Sequence, residues 1–206
     1  MKTLKNFLIL LSVVAFVFGG SKAAFAATTH TVQSGDTMWK IAVKYQIGVS
    51  ELIAANSSVK NPNIIYPGQK INIPAKGEGQ TQEEQVAALV NQERAKHGLK
   101  PLKLNWEVSR VARYKSQDMI DKRYFSHTSP TYGSPFDMMK NFGISYRSAG
   151  ENIAAGQKTP QEVMNAWMNS EGHRKNILSS QYTEIGVGYA KGGQYGHYWT
   201  QMFISR

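Results

Sequence analysis

The 206-residue chain contains no cysteine. It cannot be stapled by disulfides, so packing alone must hold it, and a zinc site would have to use histidine and carboxylate ligands. Beyond the N-terminus it also lacks any apolar run long enough to span a membrane. The one apolar run, Phe7 to Phe18, is too short to cross a hydrocarbon core of about 30 Å as a helix. Two lysines precede that run, Gly19-Gly20-Ser21 breaks it, and Ala24-Phe25-Ala26 has the small residues of an A-x-A site. This is the layout of a secretory signal peptide, with cleavage expected after Ala26 and a mature chain that is exported and has no membrane span. Acid is scarce as well: 14 Asp and Glu stand against 24 Lys and Arg, a formal net charge of +10. Residues 1–26 hold three lysines and no acid, so their removal leaves +7. A basic exported chain points to an anionic partner among wall polymers, lipid headgroups and nucleic acid. Nucleic acid is the poorest fit, because the basic residues are scattered and no stripe of them alternates with stacking aromatics. Neither H-E-x-x-H nor G-x-S-x-G occurs. That counts against the common zinc-peptidase and nucleophile-elbow arrangements, and Ser126 beside His127 is no evidence of a nucleophile.

A polar stretch with two glycines, residues 75–82, reads as a linker between a small block and a larger one beginning at Glu83. In the small block His30 to Gln33 is strand-like. Asp36 is placed to cap a helix with Met38, Ile41, Ala42 and Tyr45 on one face. Ser50 is placed to cap a second helix, Pro67-Gly68 suits a type II turn, and Lys70 to Ile73 alternates as a strand. The expected order is βααβ. The larger block opens with a helix from Glu83 to about His97, stopped by Gly98, and a second from about Trp106 to Asp121. The apolar face of that second helix is Val108, Val111, Ala112, Met119 and Ile120. Ser134-Pro135 and Thr159-Pro160-Gln161-Glu162 start two more helices. Glu184 to Ala190 and Tyr198 to Ile204 form a hairpin across Gly192-Gly193. Helices followed by paired strands indicate an α+β layered domain.

Thr31-Val32-Gln33-Ser34-Gly35-Asp36-Thr37-Met38-Trp39-Lys40-Ile41-Ala42, with Ala55-Asn56 and Ile65-Tyr66-Pro67-Gly68-Gln69-Lys70, resembles a LysM domain over residues 29–74. The resemblance implies a groove that binds N-acetylglucosamine-containing glycans such as peptidoglycan. One wall would be Gly35, Asp36, Thr37 and Met38, and the other Ile65, Tyr66 and Pro67.

In the larger block the relevant stretches are Val90-Asn91-Gln92-Glu93-Arg94, Phe125-Ser126-His127, Gly150-Glu151-Asn152-Ile153, and Trp167 to Leu178 followed by Ile185-Gly186-Val187-Gly188. In that order and spacing, residues 83–206 resemble the bacterial branch of the CAP (SCP-like) superfamily. The resemblance implies an α-β-α sandwich whose cleft, in many members, is lined by two histidines and two glutamates that can hold a divalent metal. His127, His173 and Glu151 match three of those positions, as candidate cavity, metal-ligand or proton-transfer residues. The fourth is Ser170. Glu171 lies one residue later, and one helical step turns a side chain by about 100°.

Two functions follow. In the first, the chain binds wall glycan through LysM and presents the CAP cleft to a ligand or envelope protein, with no cofactor required. In the second, the cleft hydrolyses a wall component, with a divalent metal such as zinc assisting. The incomplete set of four favours the first, while the retained His127, Glu151 and His173 keep the second in view. A cell wall, a spore envelope and the medium are all open as locations, and so is the oligomeric state.

Overall fold

The computed structural model describes residues 28–75 and 78–206; the expected signal peptide lies outside them. The small unit is β1 (Thr28–Thr31), α1 (Met38–Tyr45), α2 (Val49–Ala54) and β2 (Lys70–Ile73), with the two strands antiparallel. Ile41, Ala42, Leu52 and Ile71 fill its core. Its helix caps differ from expectation. Thr37 caps α1, its hydroxyl accepting from the Lys40 amide at 3.1 Å. Asp36 lies one position too early and instead accepts from the Gln33 amide and pairs with His30 Nε2, both at 2.8 Å. His30 is therefore buried between Asp36 and the Tyr45 hydroxyl. Ser50 falls inside α2, which has Gly48 at its cap. The Pro67-Gly68 turn forms as expected, with Gly68 at φ +87° and the Gln69 amide donating to the Tyr66 carbonyl.

The large unit begins with α3 (Glu78–Lys96), which starts at Glu78 rather than Glu83 and takes in much of the segment expected as linker. Its Glu and Gln residues are good helix formers, and the single Gly79 does not stop them. There follow β3 (Lys103–Leu104), α4 (Trp106–Asp121), α5 (Pro135–Asn141), β4 (Ser148–Ala155), α6 (Pro160–Asn169), α7 (Glu171–Ile177), β5 (Glu184–Gly192) and β6 (Gly196–Ser205). The sheet order is β3-β5-β6-β4, parallel between β3 and β5 and antiparallel elsewhere. The expected hairpin is β5 and β6, closing with Gly192 opposite Gly196. Strand β4, which carries Glu151, was not foreseen as a strand. Most of it is buried on both faces, so it has no polar and apolar alternation to read.

Helices α3, α6 and α7 cover one face of the sheet around Val90, Trp167, Trp199 and Phe203. On the other face α4 and α5 pack over Val111, Met138 and Met202. This is the α-β-α sandwich of the α+β class. The approach of α4 to β5 depends on two glycines. A Cβ at Gly186 or Gly188 would run into the α4 backbone at Val108–Ser109 or Ala112–Arg113. Strand β3 covers only Glu184 and Ile185 of β5. Beyond it, the Val187 amide donates to Ser109 Oγ and the Tyr189 amide to Glu83 Oε1, so the open edge is satisfied by side chains.

Candidate functional site

In the small unit the two expected groove walls lie side by side. The Val32 amide donates to the Gln69 carbonyl and the Gly68 amide to the Val32 carbonyl, both at 2.9 Å, which ties the turn before β2 to the loop before α1. Gly35, Thr37, Tyr66 and Pro67 are exposed, while Asp36 and Ile65 are half-buried. Met38 keeps its expected place on the apolar face of the helix but departs from the groove wall: it belongs to the core. The gap is one of helical phase, since Met38 shares a face with Ile41 and Ala42. Asp36 serves the site by bracing the loop, and its hydrogen bond from the Gln33 amide, then that with His30, holds its carboxyl below the usual range. Tyr66, 67% exposed, also overhangs a cavity of about 380 Å³ bounded by Val59, Lys60, Asn61 and Ile64. None of those four was foreseen, because they lie between the motif's two halves and match neither.

In the large unit the site forms around β4, the edge strand. Glu151 Oε1 lies 2.6 Å from His127 Nδ1. The carboxylate is 2% exposed and the imidazole 54%, so a buried acid orients a half-open base. With Glu151 ionised, His127 Nδ1–H donates to it, which leaves the Nε2 lone pair free. Burial raises the pKa of Glu151, opposed by His127 and then by Lys115. Among the described residues the second carboxylate oxygen, Oε2, is buried with no hydrogen-bond partner. A buried acid of this kind can hold a proton or accept one from a ligand.

His127 is fixed from behind by α4. Lys115 Nζ, fully buried, donates to the His127 carbonyl at 2.5 Å and lies over the Tyr124 ring. One turn on, Asp118 accepts from Ser129 Oγ, Thr131 Oγ1 and the Tyr124 hydroxyl at 2.6–2.7 Å. Burial pulls the Asp118 pKa up, but those three donors outweigh it and hold the group below its ordinary value. Neither residue was singled out from the sequence. The available signal was a lysine at position 115, inside the stripe of Val108, Val111, Ala112 and Met119.

His173 is on α7, with its carbonyl accepting from Asn152 Nδ2 of β4 at 3.1 Å. It lines a cavity of about 360 Å³ together with Ile153, Trp167 and Ser170. Burial lowers its pKa, and the charge of His127 lowers it further. Glu171 is exposed, and Ser170 occupies the cavity wall, so the shift of one residue does place the acid outside. His197, on β6, bonds to the Tyr189 hydroxyl instead. Among the described residues no three His, Asp or Glu side chains converge as a metal-binding group. The Glu151 oxygen nearest His127 is engaged by Nδ1, an arrangement that suits a base held by its orienter and falls short of the three protein ligands of an open zinc site.

The CAP family model, described as the cysteine-rich secretory protein family, matches residues 87–203, and the LysM domain model matches residues 30–74. An uncharacterized protein of Bacillus subtilis (strain 168), YkwD, is 64% identical over 124 residues, which are 60% of this chain and 47% of that protein. The spore coat assembly protein ExsA of Bacillus cereus is 49% identical over 47 residues, 23% of this chain and 7% of that one. Among solved structures, an extracellular protein with an SCP domain from Bacillus anthracis str. Ames superposes with a TM-score of 0.58 and 35% identity, covering 68% of this chain and 47% of its own. The chain spans about half the length of the curated relatives it matches first, 47% and 42% of them.

Proposed function

The chain belongs to the cysteine-rich secretory protein (CAP) family and carries a LysM domain ahead of the CAP domain; from that premise we propose that it is an exported, wall-associated protein. It binds N-acetylglucosamine-containing peptidoglycan through LysM and presents the CAP cleft to a ligand or partner in envelope assembly. The observation that carries this reading is the pair of bonded loops around Val32, Gly68 and Gln69, with Tyr66 standing clear of them. Backbone amides and a hydroxyl suit an acetamido group, and the apolar surface suits the sugar ring. The likeness of the LysM stretch to a spore coat assembly protein supports an envelope location. Co-sedimentation with purified peptidoglycan tests it. The parent should pellet with the wall, and Tyr66→Ala should weaken binding about tenfold. A parent that stays in the supernatant defeats the reading.

A second reading, hydrolysis of a wall component by the CAP cleft, is favoured by one observation: Glu151 Oε2, buried beside His127 and without a hydrogen-bond partner among the described residues. In this case His127 takes a proton through Nε2 while Glu151 holds its ring, and no step is routed through a metal. Mass spectrometry of soluble wall fragments decides it. Fragments released by the parent but not by a folded His127→Ala variant establish hydrolysis, and no fragments from either exclude it.

A further inference from the structure

Among the described residues, two of the exposed large apolar side chains of the CAP domain touch each other. Phe125, just after α4, and Tyr195, at the tip of the β5–β6 hairpin, are 44% and 48% exposed. Their rings meet edge to face at 6.1 Å, and Tyr195 leans in turn on Tyr198 at 5.8 Å. Single exposed apolar residues need no explanation, but a braced aromatic pair beside a cleft does. The pair also has a cavity on each side. One is the cavity that holds His173; the other, of about 310 Å³, is bounded by Ile120, Arg123 and Gln194. Phe125 and Tyr195 line both, so the two spaces form one groove with an aromatic ridge across its middle.

Two polar features give this groove its chemistry. Gln157 lines the first cavity, and among the described residues its Oε1 is buried without a hydrogen-bond partner. An acceptor left in this state costs free energy that a ligand N–H or O–H would recover. Its backbone is fixed, because its carbonyl accepts from Trp199 Nε1 at 2.8 Å. At the other end, Arg123 has φ +55°. It closes α4 from the left-handed region, with the Tyr124 amide reaching back to the Met119 carbonyl, a position where glycine is the easier residue. The chain keeps an arginine there, and among the described residues its guanidinium makes no ion pair. An aromatic ridge, a waiting acceptor and an unpaired cation in one groove match a saccharide with an apolar ring face, an N–H or hydroxyl donor, and a carboxylate.

The geometry points to a second saccharide site, in the CAP domain and separate from LysM, that takes an N-acetylated glycan segment bearing a carboxylate. The sugar ring stacks on Phe125 and Tyr195, a ligand donor meets Gln157 Oε1, and the carboxylate meets Arg123. The ligand class rests on the wall-binding reading above; the site does not use the LysM groove.

Residue-resolved NMR of the ¹⁵N-labelled protein tests the two apart. Three probes are titrated: the N-acetylglucosaminyl–N-acetylmuramic acid disaccharide with its carboxylate free, an uncharged N-acetylglucosamine tetramer, and the free stem peptide. The disaccharide should shift the amides of Gln157, Gly193, Gln194 and Tyr195 as well as those of LysM, and the tetramer should act more weakly at the CAP positions. Arg123→Gly keeps the helix cap and should weaken the disaccharide at the CAP positions about tenfold, leaving LysM shifts unchanged. Tyr195→Ala, on an exposed hairpin tip, should abolish the CAP shifts while the rest of the spectrum overlays. Silent CAP amides at concentrations that saturate LysM overturn the site, as does a response to the stem peptide alone. Responsive CAP amides beside a silent LysM support the site and defeat the LysM reading instead.

Discussion

A buried lysine at the back of the cleft links packing to chemistry. Lys115 is fully buried, and burial pulls its pKa down, while Glu151 and then Asp118 pull it back up. Its ammonium fixes the loop that carries His127 and lowers the pKa of Glu151. Lys115→Met keeps most of the side-chain volume over Tyr124 but removes both the donor and the charge. The variant is expected to lose about 2 kcal/mol in urea unfolding, the usual order for a buried hydrogen bond from a charged group. The Glu151 carboxyl should also titrate at higher pH, followed by carbon NMR. If Glu151 titrates as in the parent, Lys115 acts on the loop alone. The motif residues around it were legible because each motif is a short run. The resemblance put His127 and Glu151 in one cleft, but not their direct hydrogen bond, since those side chains meet across 24 positions.

At the scale of elements, local signals placed most helices and left β3, β4, α7 and the first turn of α3 unread. Thr159 caps α6 as expected, its hydroxyl accepting from the Glu162 amide. Glu162 returns to the Lys158 amide rather than to that of Thr159, so the capping box closes one residue further out. Strand β4 escaped notice for want of alternation, and the first turn of α3 because Glu78 to Gln82 carries no apolar face. The contact between α4 and β5 sets the thickness of the sandwich and gives a contrast between two glycines. Gly188→Ala should destabilise the chain by about 1–3 kcal/mol, because its methyl would meet helix backbone that cannot step aside. Gly172→Ala, inside α7 with open space where its Cβ would lie, should be neutral or stabilise by up to about 1 kcal/mol. Thermal unfolding of both variants checks this. Equal midpoints would mean that the α4–β5 approach is not tight.

Across the whole molecule, one buried acid joins three elements and makes stability depend on pH. Glu83, on α3, pairs with Arg113 of α4 at 2.9 Å and accepts the Tyr189 amide of β5. Burial pushes its pKa up to about 7, offset in part by Arg113 and the Tyr189 amide. Unfolded, the group ionises near its ordinary value of about 4.3. Between these values the native state binds more protons than the unfolded one, so this contribution falls as pH rises through that window and then levels off. Glu83→Gln removes the titration. Its urea midpoint should drop less than that of the parent between about pH 5 and about pH 8, and equal drops would show that Glu83 ionises normally in the fold. The sequence by itself determined the two domains, their families, the starts of α4, α5 and α6 and the closing hairpin, because periodicity, caps and motif spacing act over a few residues. Only the tertiary structure decided that Glu151 lies on an edge strand and bonds to His127, that His173 lines a cavity beside that strand, and that Phe125 meets Tyr195. Those encounters depend on the order β3-β5-β6-β4, a matter of long-range pairing that no local pattern encodes.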